Sequence, residues 1–116
     1  DTATAWQGTP RWMAPEVMRH GYGKPVDVFS FGVVMWELVT GRVPWLDKGF
    51  THLILRAVYD GERPGMTKEE LRYVPEGYVA LMNQCWNGNS AERPTFDQVV
   101  LDLKERYSTE YDLVVD

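Results

Sequence analysis

The sequence predicts an all-α fold in which about five helices pack around a central apolar helix at residues 27–40. Apolar side chains in that stretch cover nearly the whole circumference of a helix, which requires burial on most sides. Three later stretches carry one-sided apolar stripes at helical spacing, and no stretch alternates as a strand does. The central stretch falls short of the roughly 20 residues needed to cross a bilayer, so it is expected to be the core of a helical domain.

The first part of the chain contains only short elements. Residues up to 12 read as irregular, because Gly8 and Pro10 interrupt them. A short helix is expected over 14–19 with Pro15 in its first turn, where the missing N–H costs nothing. Residues 21–25 read as a turn that leads into the central helix.

The central helix is expected to have a capping residue at each end. Asp27 suits the N-terminal cap, since its side chain can accept a hydrogen bond from a free backbone N–H of the first turn. Gly41 suits the C-terminal cap, where the backbone enters the left-handed region. The following residues, 42–45, form a loop that Pro44 stiffens.

Three amphipathic helices are predicted after the central one, over 50–60, 78–87 and 95–107. Their stripes comprise Phe50, Leu53, Ile54, Ala57 and Val58; Tyr78, Leu81, Met82, Cys85 and Trp86; and Phe96, Val99, Val100, Leu103 and Tyr107. Residues 67–70 could cap one extra helical turn between the first two of these helices, and the third opens with Thr95 and Gln98 at the spacing of a capping box. Each large side chain buried against the central helix is expected to contribute roughly 1.5–3 kcal/mol.

Composition excludes several classes of function. The chain has 116 residues and a net charge of −5, so it lacks the basic surface that nucleic acids or anionic lipids would require. We therefore expect neither nucleic-acid binding nor membrane insertion. Its single cysteine, Cys85, allows no intrachain disulfide and favours a reducing compartment, so a cytoplasmic location is expected.

The residue types and their spacing predict no catalytic site and no metal-binding site. His20 and His52 have no partner at the spacing of a metal site or a catalytic triad, and are interpreted as surface or locally bonded side chains. Cys85 lies on a helical stripe beside Trp86, which favours a buried structural thiol. On this reasoning the chain holds no catalytic residue and no metal ligand.

Two charged residues stand beside strong backbone signals. Glu16 follows an Ala-Pro pair, and Arg93 precedes a Pro-Thr pair. Each is either an ordinary surface charge or one half of a buried carboxylate–guanidinium pair that locks distant segments together. Breaking such a buried pair costs about 3–5 kcal/mol, because the remaining charge is left without a partner.

Four segments in register resemble the protein-kinase catalytic domain. Residues 8–16, Gly-Thr-Pro-Arg-Trp-Met-Ala-Pro-Glu, are similar to the end of an activation segment. Residues 27–33 resemble the start of the central kinase helix, and 41–45 the loop after it. Cys85-Trp86 and the Glu-Arg-Pro-Thr-Phe run that ends at Phe96 resemble the last two helices of the helical lobe. The Trp-Met-Ala-Pro-Glu form, together with Thr9, points to the tyrosine-kinase-like group, whose members mostly phosphorylate Ser and Thr.

The resemblance assigns roles around the activation segment. It implies that Thr9, Trp12 and Met13 bind the protein substrate, with Trp12 and Met13 lining the pocket for the residue after the phosphoacceptor. It also implies that Glu16 and Arg93 form the buried ion pair that anchors the segment to the helical lobe.

The resemblance assigns further roles to the central helix and the N-terminal residues. Asp27 would accept hydrogen bonds from the catalytic loop, and Val34 with Leu38 would form the base of the hydrophobic spine that leads to ATP. Thr2 and Thr4 are candidate phosphorylation sites, because they lie where activation loops are often phosphorylated.

Residues 1–107 are accordingly expected to be the C-terminal part of a kinase domain, followed by a tail at 108–116. The chain contains no Gly-rich loop, His-Arg-Asp motif or Asp-Phe-Gly motif. Since phosphoryl transfer from ATP with Mg²⁺ needs those parts, the 116 residues alone are expected to bind neither ATP nor Mg²⁺ productively and to be inactive. The alternative is a pseudokinase or scaffolding module that binds proteins through residues 50–60.

Overall fold

The computed structural model describes residues 10–18 and 23–107, and within them it contains helices and no strand. The all-α prediction is therefore confirmed. The α-helices within these ranges are α1 (Lys24–Thr40), α2 (Thr51–Tyr59), α3 (Lys68–Arg72), α4 (Glu76–Cys85) and α5 (Phe96–Tyr107). Three 3-10 turns accompany them, at Pro10–Trp12, Pro15–Met18 and Ser90–Glu92. Thr2, Thr4, Thr9, His20 and the tail at 108–116 lie outside the described residues.

Helix α1 begins earlier than the sequence analysis predicts. Gly23 is its N-terminal cap residue and Pro25 lies in its first turn, so Asp27 is an exposed first-turn residue and the prediction that it caps the helix is wrong. Proline is favoured there because its fixed φ suits a helix start. The other end is as expected: Gly41 has φ 67° and donates its N–H to the Glu37 carbonyl at 2.8 Å.

Helix α4 packs directly on α1, at a point where α1 has no side chain. A Cβ placed on Gly32 would lie 2.9 Å from the Cys85 Cβ and 3.2 Å from the backbone oxygen of Met82. The Tyr78 hydroxyl donates to the Met35 carbonyl at 2.8 Å, which adds a polar contact between the same two helices. The predicted stripe of this helix is confirmed, because all five of its members lie in the core or against it.

The stripe predicted for α2 is wrong at its N-terminal end. Phe50 and Leu53 are 66% and 42% exposed, whereas Leu55, outside the predicted stripe, is 5% exposed. Helix α2 contacts both of the first two 3-10 turns, so its buried face is rotated toward the segment at 10–18. Only the Ile54, Ala57 and Val58 positions of the predicted stripe are buried.

The last helix covers less of the core than its stripe predicts. Val99 is buried, while Val100 and Tyr107 are 48% and 45% exposed. Phe96 is 38% exposed and meets Phe31 edge-on, with ring centroids 5.9 Å apart. Helix α5 therefore touches the core along one narrow line.

The predicted capping box at Thr95 is present, and the extra helical turn predicted after Thr67 begins with a second one. The Thr67 hydroxyl accepts the Glu70 N–H at 3.1 Å, and the Glu70 carboxylate accepts the Thr67 N–H at 2.8 Å. Thr95 and Gln98 exchange the same two bonds at 3.1 and 2.9 Å. These bonds define the starts of α3 and α5. None of the helices in the described ranges combines the length and apolar character needed to cross a bilayer.

Candidate functional site

Glu16 and Arg93 meet across 77 positions of sequence. The Arg93 Nη1 atom lies 2.6 Å from Glu16 Oε2, and Nη2 lies 2.8 Å from Oε1, so the pair is bidentate. The Arg93 side chain is completely buried. A charge in that position needs a partner to compensate for its lost hydration, and the carboxylate supplies it.

The remaining donors of Arg93 hold two other segments. Its Nε donates to the Asn87 carbonyl at 2.7 Å, and Nη1 also donates to the Pro25 carbonyl at 2.9 Å. The guanidinium lies over the Phe29 ring, 5.0 Å from its centroid. Arg93 therefore ties together the 3-10 turn at Pro15–Met18, the start of α1 and the end of α4.

A second arginine, Arg63, belongs to this cluster and was not identified from the sequence. Its guanidinium also lies 5.0 Å from the Phe29 centroid, and it donates to the carbonyls of Trp86, Val58 and Glu62. Burial lowers the pKa of Arg63, and the charge of Arg93 lowers it further. A single charge in a loop carries no local signal of such burial, so only the three-dimensional contacts reveal it.

The segment just before Glu16 is bound to α1 through the backbone carbonyl and the indole ring of Trp12. The Ser30 hydroxyl donates to the Trp12 carbonyl at 2.7 Å, and the Trp12 Nε1–H donates to Glu37 Oε1 at 2.6 Å. Arg11 donates to the Pro44 carbonyl at 2.7 Å, in the loop after α1. Met13 is 9% exposed and packs in the core, whereas Trp12 is half-buried at its edge.

The other candidate residues on α1 face away from the core. Asp27 is exposed in the first turn, and Val34 and Leu38 are 36% and 73% exposed. Apolar side chains cover this helix on all sides. Most of them are buried, whereas Val34 and Leu38 are exposed along one line of the helix.

Cys85 and His52 have the structural roles that the sequence predicts. Cys85 is fully buried, and burial raises the pKa of its thiol to about 11, with the charge of Asp102 as a smaller cause. His52 is exposed and its ring stacks on Phe50, with centroids 5.8 Å apart.

The described part of the chain offers no cluster of metal ligands. Within residues 10–18 and 23–107, no three His, Cys, Asp or Glu side chains converge in a way that could hold a metal ion. These residues do not by themselves fit the Mg²⁺ ion that kinases use.

Comparison with known proteins agrees with this geometry. Residues 2–103 match the family described as protein tyrosine and serine/threonine kinase. The chain therefore belongs to the protein-kinase family and represents part of its catalytic domain.

Individual relatives point the same way. Mitogen-activated protein kinase kinase kinase 12 of Rattus norvegicus is 37% identical over 108 residues, covering 88% of this chain and 11% of the relative. Serine/threonine-protein kinase STY46 of Arabidopsis thaliana is 38% identical over 103 residues, 88% of this chain and 17% of the relative. Mitogen-activated protein kinase kinase kinase 7 of Bos taurus is 35% identical over 96 residues, 81% and 16% respectively. The chain spans less than a fifth of the length of these curated relatives.

Proposed function

We propose that this chain is the C-terminal part of the helical lobe of a Ser/Thr-directed, tyrosine-kinase-like protein kinase. The parent protein transfers the γ-phosphoryl group of ATP to protein hydroxyls in the cytoplasm, with Mg²⁺ bound by residues outside this chain. The observation that supports this most directly is the buried bidentate pair of Glu16 and Arg93. It fastens an Ala-Pro-Glu segment to the Arg-Pro-Thr segment, as expected for an anchored activation segment.

In this proposal the chain supplies support and substrate contacts, and the catalytic groups lie elsewhere in the parent. Asp27 holds the catalytic loop, which its exposed position in the first turn of α1 allows. Val34 and Leu38 form the base of the hydrophobic spine. Thr9, Trp12 and Met13 contact the substrate, and Thr2 and Thr4 are candidate phosphorylation sites.

The test compares the parent protein with the 116-residue chain. Both are incubated with Mg²⁺, labelled ATP and a mixed protein substrate, and phosphoamino acids are identified after hydrolysis. The parent is expected to yield phosphoserine and phosphothreonine, and the chain alone no product. Turnover by the chain alone, or phosphotyrosine as the parent's only product, would contradict the proposal.

A second candidate function is that of a pseudokinase or scaffolding module that binds proteins through residues 50–60 and the loops that flank them. Phe50 and Leu46 are 66% and 69% exposed, and Leu46 lines a cleft of about 960 Å³ together with Trp36 and Trp45. Trp45 has φ 60°, an unfavourable backbone conformation for a bulky residue, of the kind found at functional sites. A parent that binds partners through this surface while showing no phosphoryl transfer would favour this function over the first.

A further inference from the structure

A cleft of about 960 Å³ separates the loop after α1 from the loop before α3. It is lined by Trp36 and by residues 41–43, 45–48 and 62–67. Two of its apolar side chains, Val43 and Leu46, are 47% and 69% exposed. Ligand sites commonly have volumes of roughly 300–1,000 Å³, and contiguous exposed apolar surface marks interaction sites. The cleft is therefore large enough and apolar enough to hold a short peptide segment.

One guanidinium at the rim of the cleft has donors to spare. The Nε and Nη2 atoms of Arg42 bind the Glu70 carboxylate at 2.9 and 2.8 Å, and Nη2 also donates to the Gly65 carbonyl at 2.8 Å. The guanidinium lies over the Trp36 ring, 4.9 Å from its centroid. Within residues 10–18 and 23–107 no acceptor is bound to Nη1 of Arg42, and its side chain is 48% exposed. Arg42 can therefore bind a further carboxylate while it keeps Glu70.

The charges that line the cleft leave it positive. Its cations are Arg42, Lys48 and Arg63, and its anions are Asp47 and Glu62. Glu62 lies 3.6 Å from Lys48, whereas Arg63 is bound only to backbone carbonyls in the part of the chain that the structure describes. The chain as a whole has a net charge of −5. A positive cleft in an acidic protein favours an acidic occupant.

The segment that follows α5 has the complementary chemistry. Residues 108–116, which lie outside the described ranges, read Ser-Thr-Glu-Tyr-Asp-Leu-Val-Val-Asp. Tyr111, Leu113 and Val115 occupy alternate positions, and positions 110, 112 and 116 are acidic. Successive side chains of an extended chain point to opposite faces. The pattern therefore suits a segment that places apolar side chains in the cleft and carboxylates beside its cations.

The end of α5 lies close enough for this segment to reach the cleft. The Arg106 guanidinium occupies the space that a side chain on Gly77 would take, so the last turn of α5 lies against the first turn of α4. From that turn of α4 the Tyr78 hydroxyl binds the carbonyl of Met35, the residue next to Trp36 of the cleft. Residues 108–116 span at most about 30 Å when extended, which is about three helix diameters.

We propose that residues 110–116 dock in this cleft as an intramolecular ligand, with their apolar side chains on Val43 and Leu46 and with Asp112 paired to the free side of Arg42. A short tether gives a bound segment an effective concentration of about 1 mM. Weak intrinsic affinity is therefore enough for the chain's own segment to fill the cleft. Because the cleft includes loops that flank α2, the docked segment competes with proteins that bind there.

The test measures whether the segment approaches the cleft. The 116-residue chain carrying Asp116→Cys is modified at that position with a nitroxide, while the buried Cys85 stays unmodified. Its tryptophans are labelled with ¹⁵N, and the indole signal of Trp45, a cleft residue, is identified by its loss in Trp45→Phe. The nitroxide is expected to remove most of the Trp45 signal intensity, and its reduction by ascorbate to restore it.

Matched variants show whether the approach depends on the proposed contacts. Leu113→Asp and Leu46→Asp are each expected to preserve the Trp45 signal, because each places a carboxylate in the apolar contact. Val114→Asp, on the opposite face of an extended segment, is the control and is expected to leave the loss unchanged. Circular dichroism checks that Leu46→Asp, at an exposed position, remains folded.

Three results would overturn the proposal. The first is a Trp45 signal that the nitroxide leaves intact, and the second is equal behaviour of Leu113→Asp and Val114→Asp. The third comes from mixing a nitroxide-labelled chain that lacks ¹⁵N with a ¹⁵N-labelled chain that lacks the nitroxide. Loss of the Trp45 signal in this mixture would assign the cleft to the segment of a second copy and contradict intramolecular docking.

Discussion

At the scale of single residues, Arg93 connects more segments of the chain than its salt bridge to Glu16 alone would. Its guanidinium serves a carboxylate, two backbone carbonyls and an aromatic ring. Removing the side chain takes a donor away from a carboxylate and from two carbonyls, which costs more than the net value of the original contacts.

Arg93→Ala is expected to lower the free energy of unfolding by about 3–5 kcal/mol, because Glu16 loses its compensating charge. Arg93→Lys is expected to lie closer to Ala than to the natural protein, since lysine cannot form a bidentate pair. Urea titrations followed by circular dichroism provide the measurement. The matched control is Arg72→Ala, whose side chain is 66% exposed and lies 3.7 Å from Glu69. Similar midpoints for Arg93→Ala and Arg72→Ala would contradict the role assigned to the pair.

Burial of Cys85 leads to a second prediction, on thiol reactivity. With a pKa of about 11, only about one thiol in a thousand is ionised at pH 8, and the sulfur is inaccessible. Iodoacetamide is expected to leave the native chain unmodified under conditions in which the urea-unfolded chain is alkylated completely. Mass spectrometry gives the stoichiometry directly, as the chain has one cysteine. Equal alkylation rates for the two states would show that the helix contact around Cys85 is open in solution.

The same pKa shift predicts a loss of stability at alkaline pH. The thiol of the unfolded chain ionises near its usual value of 9.0, whereas the folded protein holds its proton to about 11. Between these values the unfolded state loses protons first, so the free energy of unfolding falls by up to about 1.4 kcal/mol per pH unit. Cys85→Ala is expected to have a shallower decline than the natural chain between pH 9 and 10. Identical slopes would contradict the raised pKa.

At the scale of elements, helices were easier to predict from sequence than their ends and faces. The α-helices of the described ranges lie where the apolar spacing or a capping residue indicates, because those signals arise within the element itself. The start of α1 was misplaced because Pro25 was interpreted as part of a turn, although it also suits the first turn of a helix. The buried face of α2 was misjudged because its packing partner is the segment at 10–18, which local periodicity does not reveal.

The contact between α1 and α4 predicts that replacing a helical glycine by alanine lowers the stability of the protein, although the same change usually stabilises a helix. In an isolated helix Gly→Ala is favourable by about 1 kcal/mol. At Gly32 the added Cβ would lie 2.9 Å from Cys85 and 3.2 Å from the backbone of α4, so the two helices must separate. Gly32→Ala is expected to destabilise the chain by about 1–3 kcal/mol, as over-packing usually does.

The matched control for that substitution is Gly65→Ala. Gly65 has no heavy atom within 4 Å of the position its Cβ would take, so this variant is expected to be neutral or slightly stabilising. Thermal unfolding of both variants gives the comparison. A melting temperature for Gly32→Ala at or above that of the natural chain would mean that the helices pack less closely than the structure describes.

At the scale of the whole molecule, the sequence predicted more about the class of protein than about the working of its site. The kinase resemblance rests on short motifs whose residues remain recognisable in any context, and the pairing of Glu16 with Arg93 could be anticipated from them. The roles of Arg63, Ser30 and Glu37 could not, since each depends on which distant carbonyl or ring the fold brings within reach. An isolated polar residue, on a helix or in a loop, carries no sequence signal of such contacts.

Substitution of the exposed Leu38 on α1 is expected to have opposite effects in this chain and in the parent kinase. Leu38 is 73% exposed in this chain, and exposed apolar surface favours association. In the proposed parent kinase the same side chain is covered as the base of the spine. Leu38→Glu is therefore expected to reduce self-association of the 116-residue chain, measured by sedimentation at several concentrations. In the parent it is expected to lower stability, by about 2–5 kcal/mol as for other disrupted core leucines.

The control Leu101→Glu, at a residue 56% exposed on α5, is expected to leave the parent's stability nearly unchanged. A stable parent carrying Leu38→Glu would show that this face stays open in the longer protein, which would contradict the spine role proposed for Val34 and Leu38.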